Sequence, residues 1–227
     1  MKTLKKLSVL AAILLFSCST SDEPILEFYD PDSNPSKENP YNAIGLVFQR
    51  LINIYQVRKD INVSEINQQL QHTIDDDIII HMSKSHKISP HQESGASIDE
   101  TSLFDLIDNS PLSEFAKESL SNFIQTLISY NGAPTSIVLQ EIDSYESQVL
   151  NNSNFTAFDQ HVILTFIALV KSTGGDQNMP SMDEPEDPDE DDDWEIIVGN
   201  LFGYLSIALS QSTDAMAEEI LKTLEGL

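Results

Sequence analysis

Nine residues, Val162 to Val170 ("VILTFIALV"), constrain this chain more than any other stretch. Placed on a helix, they are apolar nearly all round. A helix with no polar face must be covered on every side. At 1.5 Å per residue the run is only about 14 Å long, well short of the roughly 30 Å hydrocarbon core of a bilayer. The cover must therefore be protein, and the chain must supply several other helices to make it.

The flanking sequence supplies them. Asn39-Pro40 offers an N-cap with proline at the first helical position. Ile44, Phe48, Leu51 and Tyr55 then follow at spacings of three and four, the period of an amphipathic helix. Asn62 and Glu65 form a capping-box pair ahead of Ile66 and Leu70. Ser97 and Glu100 form another, opening a short helix with Leu103, Phe104, Leu106 and Ile107. Ser110-Pro111 begins a longer one carrying Leu112, Phe115, Ala116, Leu120, Phe123, Ile124, Leu127 and Ile128. Asn131-Gly132 stops it, as a left-handed residue after a helix would. Pro134 opens the next, with Val138, Ile142, Tyr145 and Val149 on one face. After the loop at 151–154, Phe155 and Phe158 lead into the all-apolar helix, which ends at Gly174-Gly175. Trp194 to Leu209 reads as a further apolar helix. Ser212 or Thr213 caps a last one with Met216, Ile220, Leu221 and Leu224.

Between these segments the pattern breaks. Residues 75–97 hold Ile78 to Ile80, a short strand or buried extended piece, inside what otherwise reads as a long loop. Residues 173–193 include "DEPEDPDEDDD", which cannot build a core and reads as a disordered acidic linker. The expected architecture is all-α: a stalk at 18–40, a multi-helix bundle at 41–172, the linker at 173–193, and a C-terminal helical pair at 194–227. Two helices seldom fold alone, so the pair should pack on the body or on another molecule.

The beginning of the chain carries a different message. Lys2, Lys5 and Lys6 precede an apolar run from Leu7 to Phe16, the shape of a secretory signal. The run ends Leu15-Phe16-Ser17-Cys18, and Cys18 is the only cysteine in 227 residues. This resembles the lipobox of bacterial lipoproteins, with Phe16 where a small residue is more usual. The resemblance implies a signal peptide at 1–17, cleavage before Cys18, and fatty acylation of Cys18. Ser19-Thr20-Ser21-Asp22-Glu23 is similar to the serine-then-acidic export signal of surface lipoproteins of the Bacteroidota, which implies the outer face of the outer membrane. Ile25 to Tyr29 within the stalk could dock locally on the body.

Charge narrows the partners. Twelve basic residues face 37 acidic ones, a formal net charge of −25. Cleavage before Cys18 would remove three lysines and no acid. Such a surface repels nucleic acid, which is held by Lys and Arg on phosphate. The membrane contact is expected through the lipid anchor alone, and an envelope protein is the expected partner.

Three clusters invite a site. The acid run places Asp183, Glu184, Glu186, Asp187, Asp189, Glu190, Asp191, Asp192 and Asp193 together, and Ca²⁺ favours such oxygens. Its spacing is not an EF-hand, and Pro185 and Pro188 stiffen it, so a self-repelling solvated linker is the favoured reading. His72, His81, His86 and His91, with Asp75 to Asp77, could in principle ligate Zn²⁺ or Cu²⁺. Five-residue spacing scatters His81, His86 and His91 around a helix, so polar loop residues are favoured there. His161 reads as a hydrogen-bonded residue at the core edge. Gly199 and Gly203, one turn apart, would let two helices approach closely. No nucleophile elbow, metalloprotease motif, phosphate loop or dinucleotide fingerprint is present. The sequence therefore points to a non-enzymatic binding or scaffolding lipoprotein without cofactor. An envelope hydrolase with a dispersed site and a surface cation-binding protein are the alternatives.

Overall fold

The computed structural model describes residues 38–73, 99–174, 194 and 197–226. All of them belong to one compact unit, Lys37–Leu227. Eight α-helices and no strands are found among the described residues: α1 (Asn42–Val57), α2 (Val63–Thr73), α3 (Glu100–Asp108), α4 (Glu114–Ser129), α5 (Thr135–Asn151), α6 (Ala157–Gly174), α7 (Val198–Ala208) and α8 (Thr213–Gly226). The fold is an all-α multi-helix bundle. The signal peptide, most of the stalk, the loop after α2 with Ile78 to Ile80, and the acidic linker lie outside the described residues.

Helix α6 is the axis of the bundle. Every residue from His161 to Val170 is buried. Helices α1, α5 and α7 pack against it from different sides, which is the cover its sequence demands. Phe166, at 0 % exposure, and Phe48 on α1 are among the largest fully buried side chains. Each aromatic buried in this way stabilises the fold by about 3 kcal/mol relative to exposure. Gly45 permits the tight α1–α6 contact, since a Cβ there would collide with the Ala168 carbonyl.

The C-terminal pair packs on the body. Helix α7 lies against α6 and α3, while α8 lies against α7 and α2. Asn67 on α2 donates to Asp214 on α8. Phe48 and Tyr204 meet edge to face at 5.5 Å, tying α1 to α7.

Local chemistry sets the ends, in several cases a few residues from where the sequence pattern placed them. Asn39 does not cap α1. Its Oδ1 accepts from the Tyr41 N–H at 2.9 Å, forming a turn, and Tyr41 takes the N-cap position. Asn62 does cap α2, accepting from the Glu65 N–H at 3.1 Å. Helix α3 starts from Asp99 rather than Ser97. Asp99 accepts from the Ser102 N–H and hydroxyl, both at 2.9 Å; these bonds hold its carboxyl below the usual carboxylate range.

Helix α4 begins at Glu114, capped by Ser113, not at Ser110-Pro111. Ser110 instead closes the end of α3, its hydroxyl donating to the Ile107 carbonyl at 2.6 Å. Gly132 adopts φ +79°, the left-handed conformation that only glycine takes without penalty, and it turns the chain from α4 into α5. Asn151, expected in the loop, is the last residue of α5. Ser212 is the cap of α8, accepting from the Ala215 N–H at 3.1 Å.

Trp194 departs furthest from expectation. It lies outside α7, which starts at Val198. Its N–H donates to the Ala133 carbonyl and its carbonyl accepts from the Gly132 N–H, both at 2.8 Å. The indole, 5 % exposed, lies so close over Gly174 that no side chain could exist there. Gly174 ends α6, just before the acidic segment, and Trp194 follows that segment directly. The two ends of the segment are therefore clasped together against the α4–α5 turn.

Candidate functional site

The structure describes only a few of the residues singled out from the sequence. Cys18, His81, His86, His91, Asp187, Asp189, Asp191 and Asp193 all lie outside the described residues. His72 is exposed near the C-terminus of α2. His161 sits deeper than the core edge expected for it. It is 2 % exposed, with the Tyr41 ring edge-on at 4.8 Å. Among the described residues, no three His, Cys, Asp or Glu side chains gather as a metal ion would require. No described helix is long and apolar enough to cross a membrane.

Two polar constellations emerge that the sequence reading missed. The first centres on Asp159, which is 0 % exposed. Its Oδ1 accepts from the Ser113 N–H at 2.9 Å. Its Oδ2 accepts from the Ser113 hydroxyl at 2.8 Å, the Thr156 N–H at 2.9 Å and the Thr156 hydroxyl at 2.8 Å. Thr156 returns the favour, its Oγ1 accepting from the Asp159 N–H at 3.1 Å. The carboxylate thus joins the first turns of α4 and α6, where negative charge is favoured by the helix dipole. The spacing Thr156-x-x-Asp159 is a capping-box signature and was legible; the partner, Ser113, was not. With four donors converging on it, Asp159 acts as a structural tie between the two helix starts.

The second constellation links the start of the helical unit to α5 and α6. Asn39, 3 % exposed, donates from Nδ2 to Glu146 Oε1 at 2.8 Å and to the Leu164 carbonyl at 2.9 Å. Lys171 reaches Glu146 Oε2 at 3.1 Å and Asp143 Oδ1 at 2.6 Å. Partial burial works against the Lys171 charge, but the two carboxylates outweigh it and its pKa sits above the usual value. Both oxygens of Glu146 are engaged. The group holds Asn39 against α5 and α6.

Two concave sites stand out among the described residues. One, of about 300 Å³, lies between Pro40, Tyr41, Leu150 and Leu164. The other, of about 220 Å³, runs between α7 and α8. It is the better candidate for binding because the glycine pair builds it. Gly203 lets the helices touch: a Cβ there would lie 2.7 Å from Thr223 Cγ2. Gly199, one turn earlier, meets nothing within 4 Å, so the expected close approach holds at one glycine and opens into a cleft at the other. Ile197, 54 % exposed, and Phe202 give it apolar walls. Lys222, paired with Glu219 at 2.7 Å, forms part of its rim. Asn200, Ser206 and Thr223 add polar groups, so the cleft is mixed in character and suits contact with an amphipathic surface.

No family model, no curated protein and no solved structure matches this chain.

Proposed function

We propose that this chain is a lipid-anchored protein of the bacterial outer membrane, facing the cell surface, whose helical unit binds or scaffolds another envelope component and catalyses no reaction. The observation that carries the reading is the placement of Cys18. It is the sole cysteine, it stands two residues past a lysine-led apolar run of ten residues, and it ends a lipobox-like Leu-Phe-Ser-Cys. Each buried CH₂ contributes roughly 0.8 kcal/mol, and a single acyl chain anchors only reversibly. The three chains borne by a mature lipoprotein cysteine would make the attachment effectively permanent. The acidic surface then keeps the unit soluble above the bilayer, and the α7–α8 cleft, lined by both apolar and polar side chains, is its candidate contact with a partner.

Mass spectrometry of the protein purified from its own cells tests the anchor. The expected result is a mature terminus at Cys18 carrying acyl chains on its sulfur and amine. An unmodified thiol, or a terminus elsewhere, overturns the reading. Crosslinking in the intact envelope followed by pull-down should recover one reproducible protein partner. Calorimetric titration with Ca²⁺, Zn²⁺ and Cu²⁺ should give no specific heat; a saturable response would favour the cation-binding alternative.

A further inference from the structure

We propose that the outward face of α1 is a contact between two copies of this chain, packed α1 against α1 in antiparallel fashion about a twofold axis. Three observations converge on this face, and none depends on the lipid anchor.

The first is charge. The chain carries −25 overall, so two copies repel wherever their carboxylates face each other. Helix α1, "NAIGLVFQRLINIYQV", contains no Asp or Glu. It carries Arg50, one of only two arginines in the chain. The other, Arg58, lies just past the helix and is neutralised by Glu65 at 2.7 Å. Apart from α7, which has no charged residue of either sign, every other described helix bears at least one acid. Among the described helices α1 is thus the one that is both cationic and free of acid, which lowers the repulsion between two copies that meet along it.

The second is exposure. Leu46 is 63 % and Val57 is 89 % exposed, the highest values among the large hydrophobic residues described. Arg50 and Asn53 between them are exposed as well. The four residues follow one another at spacings of four, three and four. At 100° per residue they fall within a stripe about 60° wide, on the side of α1 turned away from Ile44, Val47, Phe48 and Leu51, which are buried.

The third is register. The pairs Leu46/Val57 and Arg50/Asn53 share one midpoint, between residues 51 and 52. One twofold axis through that point sets Leu46 against Val57 of the partner subunit, and Arg50 against Asn53 of the partner subunit. Apolar residues then meet at both ends. At the centre a guanidinium donates to a side-chain carbonyl. A closed symmetric contact needs this self-complementarity. The two arginines near the axis sit in the negative field of both chains, which offsets their mutual repulsion. One pair of four-turn helices buries less than the roughly 1,200 Å² of a stable interface, so the pair is weak and concentration-dependent.

Cysteine crosslinking of the purified full chain, with Cys18→Ser so that no other thiol is present, tests the register. Leu46→Cys, Val57→Cys and the double variant are treated with a mild oxidant and run without reductant. Positions 46 and 57 on one helix lie about 16 Å apart, too far for a disulfide within one chain. Like residues of the two copies are equally distant in the proposed register. The expected result is a disulfide-linked dimer from the double variant and little from either single one. No dimer from the double variant, or equal dimer from the single ones, overturns the proposal. Sedimentation of the purified protein gives a second reading. Leu46→Asp should abolish association, whereas Ile137→Asp, at a 48 % exposed site on α5, should leave it unchanged; the reverse pattern sinks the idea.

Discussion

Asp159 accepts both hydrogen bonds that Ser113 can donate, from its N–H at 2.9 Å and from its hydroxyl at 2.8 Å, across 46 positions of sequence. Thr156 adds two more donors from Asp159's own helix start. The carboxylate thereby orders two helix beginnings with one buried charge. Its removal would leave four donors without their acceptor, and an unsatisfied buried donor costs about 1–3 kcal/mol.

Asp159→Ala should therefore destabilise the protein by at least about 3 kcal/mol, with Asp159→Asn somewhat milder. Urea unfolding followed by far-ultraviolet circular dichroism measures this. A loss below about 1 kcal/mol for the alanine variant would show that the tie is dispensable.

Glycines in this fold should respond in opposite directions. Gly45→Ala thrusts a Cβ into the Ala168 carbonyl, forcing α1 away from α6, at a cost of about 2 kcal/mol or more. Gly199→Ala meets open space and should gain roughly 0.5–1 kcal/mol from reduced backbone freedom. Thermal melts of the two variants should bracket the parent. If both shifted the same way, the packing assigned to α1 and α6 would be wrong.

The clasp at Trp194 makes its own forecast. Trp194 is the only tryptophan in the chain, so its emission reports this junction alone. It should be blue-shifted and poorly quenched by iodide, in keeping with 5 % exposure. A protease site engineered between Ser181 and Met182 and then cut should leave both fragments associated with the same emission, because α7 and α8 are held by α6, α3 and α2. Release of the C-terminal fragment on gel filtration would contradict that.

Alkaline pH should unfold the protein through its tyrosines. Burial pushes Tyr145 up to about 12, only partly offset by its hydrogen bond with Ser119. Burial raises Tyr41 and Tyr204 as well. A raised folded-state value favours the neutral phenol. The stability it contributes is complete below the unfolded value near 10 and is lost as pH climbs through the folded one. For Tyr145 the loss reaches about 2 kcal/mol by pH 12. Absorbance at the phenolate band should show these three tyrosines ionising late and together with loss of helix. Substituting Tyr145→Phe should flatten the stability curve between pH 10 and 12; an unchanged curve would remove Tyr145 as its cause.

Helix content was legible because its causes are local. The stripe Val138, Ile142, Tyr145 and Val149 is buried on α5 as its spacing required, and Gly132 turns the chain where Asn-Gly promised. Boundaries were less legible where several caps competed. Ser110 and Ser113 are both acceptable starts for α4. Asp159 decides between them by binding Ser113, and Ser110 is drawn back to Ile107. The candidate cleft was half legible: a Gly-x-x-x-Gly spacing announces close approach, but only the position of Thr223 shows that Gly203 is filled and Gly199 is open.

The sequence alone determined that this chain folds as helices around one all-apolar member, because apolar period and capping chemistry act within a few residues. Tertiary structure decided which helices cover α6, that Asn39 and Trp194 belong to the bundle, and that a buried carboxylate ties α4 to α6. Those outcomes rest on contacts between residues far apart in the chain, where shape and hydrogen-bond geometry choose among partners that look alike when read in a line.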